Sequence, residues 1–307
     1  MIEIGSGDGQ QLRCFRELGA KVLGFESSQV LSSQSRAAGV PVITGLFTGD
    51  SAPTIPADYK AAQIVLLEHT LDHIPDPLRS LQAVGNLIDR KQGLLVIEVH
   101  DFAETFNVTE YCLIAHEHTI YPTAASLQRL LQRAGFALLE VGVLPDAVKK
   151  AHSLLVVATP LASRWAASAM PELPLGPPGD LAACRQFGNE VLATLQQLRD
   201  YFAAKRQARV RLGGYGAGGR GIMTLASTAR PGDLRYVCDK SPAFHGRYLP
   251  GSHILITGPE QLMRDPVDEL LVFSYGYIEE IRKDLAPFIA KGGRLTSLLD
   301  LLTGYGR

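Results

Sequence analysis

The chain opens on Met1-Ile2-Glu3-Ile4-Gly5-Ser6-Gly7-Asp8-Gly9-Gln10, an apolar run of four residues that passes directly into a glycine loop. A short β-type run followed by closely spaced glycines and then a helical pattern is the start of a strand–turn–helix unit of an α/β sheet. The helical pattern follows at once in residues 10–19, where Leu12, Phe15 and Leu18 recur at helical spacing and Gly19 supplies the stop. The loop itself is unusual for a phosphate site. Its spacing is Gly-x-Gly-x-Gly, whereas the dinucleotide fingerprint is Gly-x-Gly-x-x-Gly, and Glu3 and Asp8 place carboxylates beside it.

Acids flanking a close-approach loop favour a ligand with cationic groups and no pyrophosphate. S-adenosylmethionine (SAM) is such a ligand, through its α-ammonium and its sulfonium. Seventeen residues past Gly9, the run Leu23-Gly24-Phe25-Glu26 ends a second strand on an acid, where a carboxylate can accept both hydroxyls of a ribose. Glu3, Gly5, Ser6, Gly7, Gly9 and Glu26 are therefore the candidate cofactor residues, and SAM is the expected cofactor. A glycine turn in some other α/β protein is the competing reading.

Outward from that stretch, strand-like runs at 1–4, 21–26, 40–44, 62–68, 93–99, 136–144 and 153–159 alternate with helical patterns, notably 75–90 and 123–135. Alternation of this kind implies a parallel sheet with helices on both faces. The last two runs are joined by a short link and are expected to close the sheet as an antiparallel hairpin. A Pro-, Ala- and Ser-rich linker follows, and then a long helical stretch from about Leu181 to Arg206. A second alternating unit has strands expected at 209–214, 234–239, 253–257, 269–274 and 293–299. The expected architecture is a class I methyltransferase Rossmann-like sheet over 1–160, a linker over 161–180, and a long helix with a second, smaller Rossmann-like α/β domain over 181–307.

Composition narrows the function classes. The 307 residues are 46% hydrophobic and 20% charged, with 30 Lys and Arg against 31 Asp and Glu. A formal charge of -1 provides no strong field for nucleic acid or an anionic membrane, and neither is expected as a partner. No apolar run is long enough to span a bilayer, and no signal peptide is present. Cys14, Cys112, Cys184 and Cys238 form no CxxC pair and read as small buried hydrophobes in a reducing compartment. A cytoplasmic location follows; the oligomeric state is left open.

The second glycine loop, residues 213–221, carries Gly216-Ala217-Gly218-Gly219-Arg220-Gly221 with dinucleotide spacing, and Asp239 ends the next strand. Taken alone it reads as an NAD site or, equally, as a Rossmann unit holding another nucleotide, with Arg220 suited to a phosphate. Tyr215 either stacks on a base or fills the core.

Taken with the motifs EIGSGDG (3–9), HIPDP (73–77), HEHTIY (116–121), GYGAGG (214–219), PGSHILITGPEQL (250–262) and YIEEI (277–281), the chain resembles the sugar C-methyltransferases that act on nucleotide-linked keto-deoxysugars. The resemblance covers nearly the whole chain. It implies that His118 is the catalytic base, which a neutral imidazole suits, because methylating a carbon beside a ketone begins with loss of an α-proton. It assigns Glu117 to orienting an imidazole or a sugar hydroxyl and Tyr121 to donating toward the ketone. His73, His116, Tyr215, Gly216, Gly218 and Arg220 are the expected substrate contacts, with the nucleotide-linked keto-sugar as the partner.

The chain departs from that family in three places. Ala115 stands where a Tyr usually precedes the HEH triplet, Lys150-Ala151-His152-Ser153 replaces a His-Gly-Gly-Ser run, and the N-terminal zinc-binding domain is missing. The first strand starting at residue 1, where a helix normally comes first, leaves a fold that manages without it, a start assigned too late, or a fragment, with the late start as the favoured reading. The departures keep open O-methylation or a non-sugar acceptor, an NAD-dependent oxidoreductase using the second loop, and a non-catalytic binding protein of the same fold. His116 and His118 alternate as on a strand, and with His100 and Asp101 they make a metal site conceivable. No further ligand pattern supports one, so no metal is expected. His152, His245 and His253 read as structural.

Overall fold

The computed structural model describes residues 1–144 and 153–304. The chain divides into two compact units, Met1–Ala103 with His116–Pro178, and Glu104–Ala115 with the chain from Gly179 on.

In the first unit the elements run β1 (Ile2–Ile4), α1 (Gln10–Glu17), β2 (Leu23–Glu26), α2 (Gln29–Ala37), β3 (Val42–Thr44), β4 (Ile64–Glu68), α3 (Pro77–Gly85) and β5 (Leu94–His100). After β5 come α4 (Phe102–Asn107), which leads into the second unit, then α5 (Ala124–Ala134), β6 (Phe136–Val143) and β7 (Ser153–Pro160). The seven strands lie in the order β3-β2-β1-β4-β5-β7-β6. β1 to β5 are parallel, and β7 runs antiparallel to both β5 and β6, the expected closing hairpin. Strands covered on both faces need apolar side chains throughout, which is why they were legible as continuous runs. Ile2, Val65, Leu95 and Ile97 are completely buried at the sheet's centre.

Helix ends carry ordinary signals. Ser28 accepts from the Leu31 amide, Asp76 from the Arg79 amide with Pro77 in the first turn, and Thr123 and Ser126 form a reciprocal capping box. Gly135 closes α5 at a φ of +92°. The helical pattern of 75–90 stops at Gly85. Beyond it, Leu87 and Asp89 exchange backbone hydrogen bonds with Ala62, and Ile88 bridges to that residue, so the chain is drawn into an extended contact.

The second unit holds α6 (Leu181–Gln207), β8 (Leu212–Tyr215), α7 (Gly219–Thr228), β9 (Val237–Cys238), β10 (Ile256–Thr257), α8 (Gln261–Arg264), β11 (Glu269–Val272), α9 (Ile278–Asp284), α10 (Ala286–Ala290), β12 (Arg294–Ser297) and α11 (Leu298–Gly304). Its sheet is parallel throughout, in the order β10-β9-β8-β11-β12. This is the order of the first five strands of the larger sheet. Glu269, buried at the start of β11, accepts hydrogen bonds from Tyr201 and Lys205 on α6 and from Arg294 and Thr296 on β12, tying three elements together.

Two sequence expectations change. Residues Glu104–Ala115 fall inside the span expected for the first domain, yet they pack in the second unit. There Tyr111 and Cys112 join the cluster of Leu225, Leu271 and Phe273, and Phe106 stacks on Phe187 at 4.8 Å. Cys112 and Cys238 are buried, and burial pushes their thiols up to about 12 and about 11, whereas Cys14 and Cys184 are exposed. Among the described residues no helix is long and apolar enough to cross a membrane.

The packing of the second glycine loop gives a test. A Cβ at Gly221 would lie 2.2 Å from the Gly216 carbonyl oxygen, whereas one at Gly219 would meet nothing. Gly221→Ala is expected to destabilise by about 1–3 kcal/mol in urea unfolding, and Gly219→Ala to leave stability unchanged or slightly raised.

Candidate active site

The loop after β1 is stitched to β2. The amides of Gly5 and Ser6 both donate to the Phe25 carbonyl, at 2.8 and 2.9 Å. Gly7 N–H donates to Glu26 Oε2 at 2.9 Å and Ser28 N–H to Glu26 Oε1 at 2.7 Å. Each Glu26 oxygen thus carries one backbone bond and keeps a lone pair for a further donor. Gly5, at φ +81°, passes so near the loop after β4 that a Cβ would stand 2.0 Å from Thr70 Oγ1. Gly7 has open space around it instead, with nothing within 4 Å of a would-be Cβ.

Two concavities meet at Gly5. One is mostly apolar, formed by Ile4, Phe25, Leu46 and Phe47 with Thr70 and His73 at its side. The other is polar, with Glu3, Asp8 and Glu68 joined by Ser6, Gln10, Gln11 and Cys14. Gln11, with its amide nitrogen turned toward the carboxylates, donates to Glu3 Oε1 at 2.8 Å and Glu68 Oε2 at 2.7 Å. Ser6 Oγ is buried without a hydrogen-bond partner among the described residues. An apolar slot suits an adenine, the Glu26 carboxylate a ribose, and the acidic side an ammonium and a sulfonium. The donor and acceptor set fits SAM.

Beside that cleft, at the carboxyl ends of β4 and β5, lies a group of imidazoles and carboxylates. His69 follows β4 at φ +44°, a strained conformation for a side-chain-bearing residue. Its Nε2 lies 3.0 Å from Glu98 Oε1 and 3.4 Å from Ser153 Oγ, and its ring is 4.5 Å from that of His100. His118 stands 6.1 Å from His100, 4.9 Å from His73 and 5.7 Å from Tyr121, ring centre to ring centre. Asp72, with its side chain 3% exposed, directs Oδ2 at His118 Nε2 (3.8 Å) and Oδ1 at His73 Nε2 (4.0 Å). Thr119 fixes the segment: its amide and hydroxyl donate to the Asp72 carbonyl at 2.7 and 3.0 Å, and the hydroxyl also reaches the Ile74 carbonyl.

The structure brings His73, His118 and Tyr121 together and leaves His116 and Glu117 exposed. The HEH triplet lies on a turn, so the alternation expected for a strand does not apply. The acid facing the His118 ring is Asp72 rather than Glu117. Asp72, His69 and Glu98 were not among the expected site residues; their signal was polar side chains at the carboxyl ends of two apolar strands. Asp101 accepts the Ala103 amide at 3.0 Å in the turn that starts α4. Lys150 to His152 lie outside the described residues.

The second glycine loop lies wholly within the second unit. Gly216 sits at φ +101°, Gly218 faces open space, and the Ala217 amide donates to Asp239 Oδ2 at 2.7 Å. Tyr215 is buried among Tyr236, Val272 and Ile281 and presents no face for stacking. Arg220 Nε donates to the fully buried Glu110 at 2.7 Å, its guanidinium lies over the Tyr275 ring, and the Tyr275 hydroxyl donates to the same carboxylate. Arg220, expected to suit a phosphate, has its Nε held by a buried acid.

Comparison with known proteins places both units. Residues 1–141 match the family described as methyltransferase domain, and residues 179–299 the family described as C-methyltransferase C-terminal domain. C-methyltransferase NovU of Streptomyces niveus is 27% identical over 300 residues, a match covering 96% of this chain and 70% of NovU. Among solved structures, an S-adenosylmethionine-dependent methyltransferase from Mesorhizobium loti matches with a TM-score of 0.40 at 17% identity, over 51% of this chain and 88% of that one. Magnesium protoporphyrin IX methyltransferase from Synechocystis PCC 6803 matches with a TM-score of 0.40 at 15% identity, over 51% and 72%.

Loss of the Glu26 acceptor tests the cofactor cleft. Calorimetric titration with S-adenosylhomocysteine is expected to show affinity reduced at least about tenfold in Glu26→Ala, equivalent to about 1.4 kcal/mol. Unchanged affinity would place the ribose elsewhere.

Proposed function

For a chain that belongs to the SAM-dependent methyltransferases, as a methyltransferase domain joined to a C-methyltransferase C-terminal domain, we propose transfer of methyl to a carbon beside the ketone of a nucleotide-linked deoxysugar. The observation that carries this reading is the position of His118. Its imidazole is one ring away from the cofactor cleft, with His73 between, and a buried carboxylate stands at its Nε2.

With Asp72 on the Nε2 side, His118 Nδ1 is the nitrogen that takes the α-proton. The Asp72 carboxylate then faces the positive charge the ring acquires, at a separation where the attraction is appreciable in a partly dry site. Loss of that proton leaves the electron pair on the substrate as an enolate, and bound SAM supplies an electrophilic sulfonium methyl. Tyr121, beside His118, donates to the ketone oxygen on which the enolate charge gathers. His69, held by Glu98 and Ser153, keeps the floor of the site in place. His116 and Glu117, on the exposed turn, are left for contacts to the sugar.

In the second unit the phosphates of the nucleotide are assigned to the loop's own amides at the start of α7, where Gly218 leaves room for close approach. Arg220 adds charge from its side but has its Nε committed to Glu110. The NovU similarity supports methylation at carbon. Four cysteines without a disulfide suit a reducing, cytoplasmic setting.

Turnover on a 4-keto-6-deoxyhexose nucleotide, read by mass spectrometry, tests the assignment. His118→Ala is expected to lower kcat about 10²–10⁴-fold with S-adenosylhomocysteine affinity kept. Asp72→Asn is expected to lower kcat with little change in KM. Full turnover by His118→Ala would overturn His118 as the base.

A further inference from the structure

We propose that Asp72, His73 and His118 form a binding site for one divalent transition-metal ion, at the edge of the cofactor cleft. Their ligand atoms, one from each residue, all lie within 4.8 Å of one another. The HxH spacing is not what assembles them. Asp72 and His73 come from the turn after β4, His118 from a turn forty-six positions beyond Asp72, and Thr119 pins the two turns together through the Asp72 and Ile74 carbonyls.

Two observations point to a ligand. The first is the donor set: two imidazoles and one carboxylate leave open positions on a metal and suit zinc, cobalt or nickel better than magnesium or calcium. The second is that Asp72 is almost wholly buried while its Oδ1 has no hydrogen-bond partner among the described residues. A buried carboxylate oxygen left unbonded is costly, and a cation between it and the imidazoles removes that cost. The observed gaps of 3.8 Å from His118 Nε2 to Oδ2 and 4.0 Å from His73 Nε2 to Oδ1 are too long for hydrogen bonds. Two ligands about 2.1 Å from a tetrahedral zinc sit about 3.4 Å apart, so side-chain rotations that bring atoms now within 4.8 Å of one another closer by up to about an ångström close the site. His73, with its side chain 41% exposed, gives the ion its way in.

The site has a consequence for catalysis that rests on His118 being the base. A metal on Nε2 uses the lone pair of the neutral ring and leaves the proton on Nδ1, which then cannot accept another. The ion therefore acts as a reversible inhibitor.

Binding is measured apart from activity, by titrating the full chain with Co2+ and recording its visible d–d absorption. One equivalent is expected to bind through nitrogen and oxygen. His73→Ala and Asp72→Asn each weaken binding by more than about tenfold, and His116→Ala leaves it unchanged. Because His73 is exposed, its variant stays informative if Asp72→Asn fails to fold. No cobalt spectrum, equal affinity in His73→Ala, or a sulfur-to-cobalt charge-transfer band marking Cys14 or Cys184 would each overturn the site. Loss of methyl transfer on adding Zn2+, reversed by chelator, is the expected effect on turnover. Cobalt binding without that inhibition would leave the metal site standing and remove His118 as the base.

Discussion

The first unit depends on how closely two loops pass. The loop after β1 runs so near the loop after β4 that only a residue without a side chain fits at position 5, against Thr70. That approach places the Gly7 amide on the Glu26 carboxylate on one side and sets His73 and Asp72 beside the cleft on the other. The acidic cleft and the imidazole cluster are brought together by one tight crossing at the carboxyl edge of the sheet, where parallel α/β sheets hold their ligands.

The same device appears twice in the chain. In each unit a glycine loop after the first parallel strand gives a backbone amide to the acid ending the next strand, Gly7 to Glu26 and Ala217 to Asp239. The surroundings separate the two. Around the first loop, Glu3, Asp8 and Glu68 create a negative cleft. Beside the second, Arg220 offers positive charge, tempered by Glu110 with its side chain wholly out of water. Similar backbones therefore carry different charged neighbours.

How much could be read in advance follows from how each feature is encoded. The central strands were legible because strands buried on two faces need apolar runs, as in β1 and β4. The glycine loop was legible because Gly5, Gly7 and Gly9 are neighbours in the chain. The imidazole cluster was only half legible. His73 and His118 stood in motifs, but Asp72, His69 and Glu98 acquire meaning only when β4, β5 and the 116–121 turn come together. Glu117 attracted attention by adjacency alone and turned outward. The passage of Glu104–Ala115 into the second unit left no trace in the pattern, since Phe106, Tyr111 and Cys112 have no helical or strand period among them.

The placement of Cys14 reaches beyond binding. It lies in α1, lines the acidic side of the cleft and is exposed, while Cys112 and Cys238 are buried with thiols that resist ionisation. Peroxide or an alkylating agent would meet Cys14 and Cys184 first, and of these two Cys14 lines the acidic cleft. Oxidative ageing of the protein therefore begins at two exposed thiols, one of them at the rim of the acidic cleft.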